Sequence, residues 1–319
     1  MQAFASGAEP WVKCLIAGSG PLLLHGLGPL LDFLAGERPP EPLPSGTKSS
    51  PPDSLSARLV PTLTVLAHLA VAAAAYAAVA TAPVQPLLLG LMTVTLGISA
   101  VGCQAAAHEL IHSRNPVHLA VAAVFLTLYW WYPYYRAHHQ HHLTVCTPSD
   151  YTSAHKGRDV YSYTLQYIPG TYSEVALTAG LFLAFGPLAT AAHLGASFIL
   201  LTYMSVFDYV LHYGLSRPEM PGSGGRRFMH VTDYNSWSSL YPVENAMLFR
   251  VLYHGDHHIV GNKSYAWLRP SASAPTFPMP INLLAMATFV PPLWSAVMDK
   301  RADEINRKNL EHLGLVTRP

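Results

Sequence analysis

Residues 59–82 read LVPTLTVLAHLAVAAAAYAAVATA, 24 positions without one Asp, Glu, Lys or Arg. A helix crosses a bilayer with about 20 mostly apolar residues, so this segment predicts a transmembrane span. Working outward, a short turn holding Pro83 and Pro86 leads into a second uncharged run, 87–107. The two form a predicted transmembrane hairpin. Upstream, 14–31 is apolar but rich in Gly and Pro, and reads as a further, bent span. Downstream, 175–211 stays uncharged as far as Asp208. It is too long for one ordinary span, and a turn at 193–195 divides it into spans at 175–192 and 195–211. No basic start or small-residue cleavage site marks a secretory leader at the N-terminus.

Composition agrees. Of 319 residues, 12% are charged and 50% hydrophobic, against roughly 25% charged in soluble globular chains. That profile excludes disorder. A formal net charge of +1 leaves no basic footprint for nucleic acid. Cys14, Cys103 and Cys146 are far apart in sequence, which argues against a disulfide scaffold or a thiolate metal site. The anomaly is seventeen histidines against nineteen Lys plus Arg.

Most of these histidines fall into groups. HELIH places His108 and His112 at i and i+4, on one face if the preceding helix continues, where they can share a metal. HHQHH (138–142), His212 in DYVLHYG, and HGDHH (254–258) follow. Taken alone, HExxH fits a zinc protease with Glu109 as base, and a lone His212 fits a structural role. Together the groups crowd many imidazoles beside predicted membrane boundaries. His138, His141 and His142 are the expected ligands of the second group, with His139 an ambiguous extra. His254, His257 and His258 are those of the last. His25, His68, His118, His155, His193, His230 and His312 are isolated in sequence and read as structural.

Convergent ligands must share one membrane face. The apolar block 117–135, which ends in YWWYPYY, must therefore be re-entrant or interfacial, where Trp and Tyr are favoured. Arg38, Lys48 and Arg58 in the proline-rich linker, and Arg114, Arg136, Lys156, Arg158, Arg217, Arg226 and Arg227 later, put that face in the cytoplasm by the positive-inside rule. The expected architecture is all-α: about five spans, an interfacial or re-entrant helix, and a cytoplasmic cap over 213–319. The whole chain forms one membrane domain around a His-rich di-metal site. A short apolar patch at 281–294 reads as an interfacial helix. Nine imidazoles exceed one ion and suit two, and a thiolate-free imidazole site takes Zn, Cu, Fe or Ni. A zinc protease would leave six histidines unexplained, whereas two irons with open positions could activate O₂ against a C–H bond. Glu109, Asp150 and Asp256 are candidates to orient the ligands.

The three boxes resemble those of membrane fatty-acid desaturases and hydroxylases. The chain is more similar to the membrane alkane 1-monooxygenase family, which includes the xylene monooxygenase hydroxylase component. The resemblance runs almost end to end through LLDFLAGERPPEP, HELIHSRNP, HHLTVCTPSD, DYVLHYGLSR, LFRVLYHGDHHIVGN, YAWLRPSASAP and PPLWSAVMDKR. It implies a non-haem di-iron oxygenase that uses O₂ to turn the terminal methyl of a medium- or long-chain alkane into a primary alcohol. Electrons would come from a separate rubredoxin or ferredoxin and its NAD(P)H-dependent reductase, and the alkyl substrate from the bilayer. It assigns His108, His112, His141, His142, His212, His254, His257 and His258 as ligands, while His138 rests on the residue-level reading. Departures are Ala137 where the family starts its second box, Ile111 for a glycine, Asp208 for an asparagine and Leu211 for a glutamate. The alternatives are an acyl desaturase or hydroxylase and, in another class, a non-catalytic metal-binding receptor or scaffold.

Overall fold

A computed structural model describes residues 26–38, 58–167, 172–225 and 227–317. The described residues are helical: α1 (Gly28–Ala35), α2 (Leu59–Thr81), α3 (Pro86–Ile111), α4 (Pro116–Leu128), α5 (Tyr132–Thr144), α6 (Val160–Thr164), α7 (Tyr172–His212), α8 (Pro242–Met247), α9 (His254–Ile259), α10 (Ile281–Thr288) and α11 (Pro291–His312). Among them α2, α3 and α7 are long and apolar enough to cross a membrane. The span expected at 14–31 lies outside the described residues except for its last few positions. In hydrocarbon a helix satisfies every internal backbone N–H and C=O by itself, which is why uncharged runs of this length become helices. Pro86 and Pro116 sit in the first turns of α3 and α4, where the missing N–H costs nothing. Asn115 caps α4 by accepting the Val117 N–H at 2.9 Å.

The chain divides into two compact units, with boundaries inside α5 and α7. The first comprises 1–30, 52–136 and 169–204. Its outward residues include Leu63, Val71, Leu87, Leu183 and Phe198, the apolar exterior expected of a bundle that faces lipid. Small residues bring its helices together: a Cβ on Gly97 of α3 would sit 2.7 Å from the Ile199 Cβ, and one on Gly195 equally close to Thr93. Close approach at small residues is how membrane helices gain packing without a hydrophobic driving force.

Several sequence expectations change here. The helical backbone of α7 breaks at Gly186 (φ 78°), just before Pro187, and runs on helically through 193–195. Glycine tolerates this φ, and proline cannot donate the hydrogen bond that would continue the helix. His193 is instead a buried helical residue. Its Nδ1 pairs with the Tyr76 hydroxyl at 3.0 Å and its Nε2 with the Leu128 carbonyl at 2.8 Å. His68 is not isolated either, since its Nε2 lies 2.7 Å from the Tyr129 hydroxyl and its Nδ1 3.3 Å from Ser99. Arg58, read as a linker charge, is buried, and its Nε donates to both the carbonyl and Oε1 of Glu109 at 3.0 Å. The block 117–135 forms the 13-residue α4, shorter than a span needs, and then turns through Trp130 (φ 61°).

The second unit comprises 31–51, 137–168 and 205–319. Its core is aromatic: Trp237 donates Nε1–H to the Tyr213 carbonyl at 3.0 Å, and Trp294 packs on Tyr213 at 5.1 Å between ring centroids. The 281–294 patch is two helices, α10 and the start of α11, parted at Phe289 and Val290. Asp32 of α1 accepts the backbone N–H groups of Val243 (2.6 Å) and Glu244 (2.8 Å), which start α8. Glu244 accepts from Ser239 and from the Ile281 N–H (2.8 Å). Burial, reinforced by the neighbouring Asp32, pushes the Glu244 carboxyl up to about 8. The folded chain therefore keeps this proton at pH values where the unfolded chain has lost it. Stability should fall as pH rises from the ordinary glutamate range towards 8, by up to about 1.4 kcal/mol per pH unit. Glu244→Gln, an isostere of the protonated acid, should flatten that slope in thermal unfolding of the solubilised protein. An unchanged slope would show that Glu244 is ionised in the fold.

Candidate metal centre

Box two lies on α5, a helix, so His138, His141 and His142 at i, i+3 and i+4 share one face. His138 and His141 are buried and His142 half-buried, whereas His139 is exposed on the other side. This spacing separates the two adjacent candidates: His138 joins the group and His139 does not.

In the second unit His141, His212, His254 and His258 converge, all buried, with one nitrogen from each lying within 4.8 Å of the others. His212 Nε2 is 3.1 Å from His254 Nε2, which is 3.2 Å from His258 Nε2. The outer nitrogens explain this aim. His212 Nδ1 donates to the Asn235 carbonyl (3.1 Å), His254 Nδ1 to the Val251 carbonyl (3.1 Å), and His141 Nδ1 to Asp150 Oδ2 (2.8 Å). A proton held on Nδ1 leaves the Nε2 lone pair pointing inward, the arrangement of a metal-bound imidazole. Burial, and then the surrounding imidazoles of His142, His254, His141 and His212, push His258 well below its ordinary value. It is neutral, as a ligand must be. Four convergent imidazoles with no thiolate fit a borderline metal of the Zn, Fe, Cu or Ni kind.

Beside this group lie His138, His142 and His257. The Nε2 atoms of His138 and His142 are 3.0 Å apart, and the His142 ring is 4.6 Å from His257 and 4.5 Å from His258. Seven of the nine histidines named from the sequence thus cluster within one unit. The other two, His108 and His112, end α3 in the first unit with their rings 5.0 Å apart. Tyr134 is 6.4 Å from His108 and stacks on Trp131 at 5.5 Å.

The three acidic candidates differ. Asp150 touches a histidine and also accepts from Ser153 (2.6 Å) and Thr152 (2.7 Å). Burial works to raise its carboxyl, but the hydrogen bonds from His141, Ser153 and Thr152 outweigh it and hold Asp150 well below the usual range. It is a fixed anion facing His141. Glu109 pairs with Arg58. Asp256 pairs with Lys263 (2.6 Å) and accepts the Arg269 N–H (2.8 Å), so it anchors the chain that follows box three. Asp150→Asn should weaken metal binding roughly 10- to 100-fold, the usual cost of losing a partner behind a metal-bound histidine, as read by competition with a chelator. Unchanged affinity would remove Asp150 from the site.

Some supporting groups carry no sequence signal. Asn235 acts through its main-chain carbonyl, which also accepts from Cys146 Sγ at 3.1 Å. Gly255, inside box three, lets α9 press on the 233–235 turn: a Cβ there would lie 3.2 Å from the Asp233 carbonyl. Gln104, one turn before His108 on α3, is 3% exposed and its Oε1 has no hydrogen-bond partner. A buried amide on an apolar helix was the one such signal the sequence offered, because polar groups within spans are costly and usually functional.

No family model matches the chain. It is 28% identical to alkane 1-monooxygenase 1 of Pseudomonas aeruginosa, an alignment covering 88% of this chain and 81% of that one. It is 26% identical to alkane 1-monooxygenase 1 of Alcanivorax borkumensis, covering 89% and 77%. With the xylene/toluene monooxygenase hydroxylase component of Pseudomonas putida it shares 24%, over 64% and 61%. Long apolar helices, clustered histidines and these relatives make the chain a membrane oxidoreductase. Within that class the chain is similar to the alkane 1-monooxygenases over most of its length, as the box motifs led one to expect.

Proposed function

We propose that the protein hydroxylates the terminal methyl of a medium- or long-chain alkane to a primary alcohol, using O₂ and two non-haem irons on the cytoplasmic face of the membrane. The observation that carries this reading is the convergence of His141, His212, His254 and His258, with nitrogens within 4.8 Å of one another, in a chain whose relatives are named alkane 1-monooxygenases. In our reading these four hold one iron, His138, His142 and His257 beside them serve the second, and His108 and His112 complete the nine ligands by their sequence motif. The whole chain serves this one site.

Bound iron would supply the redox chemistry that activates O₂. The chain's own residues do the rest. Asp150 and the Asn235 and Val251 carbonyls fix the imidazoles so that little reorganisation accompanies turnover. Trp131 and Tyr134 put an aromatic wall beside His108, which excludes water from an oxidising site. We assign Gln104, the buried amide one helical turn below His108, to the hydroxyl end of the product. The lipid-facing bundle admits the hydrocarbon from the bilayer. A rubredoxin or ferredoxin, re-reduced by an NAD(P)H-dependent reductase, would dock on the basic cytoplasmic side, where opposite charge speeds encounter.

The test is a product assay. The chain is expressed with a rubredoxin and its reductase in a host unable to oxidise alkanes, fed medium- and long-chain n-alkanes, and its extracts are analysed by GC–MS. A 1-alkanol that disappears in His257→Ala is the expected result. Iron-loaded, membrane-inserted protein that makes no alcohol overturns the reading, and new double bonds in host lipids would then favour an acyl desaturase.

A further inference from the structure

The second unit holds a continuous set of tyrosines that the proposed hydroxylation does not use. It begins at a candidate ligand. His141 Nδ1 is 2.6 Å from the Thr152 hydroxyl, and the Thr152 carbonyl accepts from the Tyr163 hydroxyl at 2.6 Å. The Tyr163 hydroxyl is 3.0 Å from that of Tyr167, which donates to Asp208 Oδ2 at 3.2 Å. From Tyr167 the rings continue to Tyr151, 6.3 Å away between centroids, and Tyr151 is 49% exposed. A side branch leads from Tyr163 to Tyr209 at 5.3 Å and on to Trp294 at 5.5 Å.

Tyrosine and tryptophan are the side chains most easily oxidised by one electron without breaking a bond. A phenol gives up that electron readily only if its proton has somewhere to go. Here a proton path is in reach: the Tyr163 hydroxyl, which donates to the Thr152 carbonyl, also lies within hydrogen-bond distance of the Tyr167 oxygen, and Tyr167 donates to a carboxyl group. Tyr163 is fully buried, and burial raises its phenol well above the ordinary value. It therefore keeps its proton until it is oxidised.

We infer that Tyr163, Tyr167 and Tyr151 form a relay that drains oxidising equivalents from the metal centre to solvent when O₂ has been activated and no alkane is bound. The inference rests on the oxygenase reading above. In the first step Tyr163 gives one electron to the oxidised metal centre, which is reduced by one. The Tyr163 hydroxyl hydrogen turns from the Thr152 carbonyl to the Tyr167 oxygen and passes to it as the Tyr167 proton passes to the Asp208 carboxylate. The products are a neutral Tyr163 radical and a protonated Asp208. Tyr151 then refills Tyr163 through Tyr167, the Asp208 proton returns along the hydroxyls, and Tyr151 loses its own proton to water. A thiol in solution restores an electron and a proton to Tyr151.

The experiment uses the full-length, iron-loaded protein in lipid nanodiscs. It is reduced, exposed to O₂ without alkane, and freeze-quenched for EPR, with peptide mass spectrometry for oxidised tyrosine on parallel samples. Wild type should show a tyrosyl signal that narrows when ring-deuterated tyrosine is incorporated, and oxidation adducts at Tyr151. Tyr163→Phe and Tyr167→Phe should lose the signal and the adducts and inactivate faster on substrate-free cycling. Their metal content and their initial rate with alkane should match wild type, as should every readout of Tyr265→Phe. Hydroxylation without a tyrosyl signal, or a signal that survives in Tyr163→Phe, overturns the relay while leaving the oxygenase reading intact. Iron-loaded protein with no hydroxylation overturns both.

Discussion

His258→Ala is expected to strip metal from the purified protein and leave no detectable hydroxylation, with the helical fold retained. The His258 ring lies 4.7 Å from His141, 5.0 Å from His212, 4.6 Å from His254 and 4.5 Å from His142. It packs against imidazoles of both groups of the second unit. Its loss should exceed the roughly 10- to 100-fold cost of losing a supporting partner. Metal content by plasma mass spectrometry is the readout, with circular dichroism to verify folding. His139→Ala supplies the contrast: the same residue type on the same helix, but exposed, so metal content should not change. Full metal in His258→Ala, or equal loss in both variants, would refute the ligand set.

Arg58→Met should be the most destabilising change outside the histidines. Arg58 and Glu109 are 1% and 5% exposed, and the guanidinium holds both the side chain and the carbonyl of the residue between His108 and Leu110. Removing one member of a buried pair leaves an uncompensated charge, at a cost of about 3–5 kcal/mol. Arg58→Met with Glu109→Gln should recover part of that loss, because the pair is worth less than the penalty for splitting it. Only part returns, since the Glu109 carbonyl also loses its donor. Thermal unfolding of the four proteins of the cycle measures the coupling. A loss below about 1 kcal/mol would place the pair with exposed ion pairs.

What could be read in advance follows from where the information resides. The spans at 59–81 and 86–111 were legible because bilayer thickness sets a length that composition must fill. The second box was legible because its ligands are side chains at helical spacing. Arg58 was not, since one arginine at the end of a proline-rich linker looks like any loop charge until its partner 51 residues away is known. The break in α7 was misplaced to 193–195, although Gly186-Pro187 is a stronger breaker than His193-Leu194-Gly195. His193, at the expected turn, is a helical residue satisfied by Tyr76. His68 was read as solitary for the same reason: its partners Tyr129 and Ser99 come from distant segments.

The anchors behind the imidazoles differ in kind, and that difference bears on how the site can drift over evolutionary time. His212 and His254 are held by main-chain carbonyls, of Asn235 and Val251. Those acceptors persist whatever side chain stands at either position, so long as the local turn survives. His141 depends on the side chains of Asp150, Thr152 and Ser153, each open to loss by a single codon change. Related sequences should therefore vary freely at 251 and guard 150, 152 and 153. At 235 the constraint should fall on turn-forming ability, because the Asn235 side-chain oxygen also accepts the Thr232 N–H.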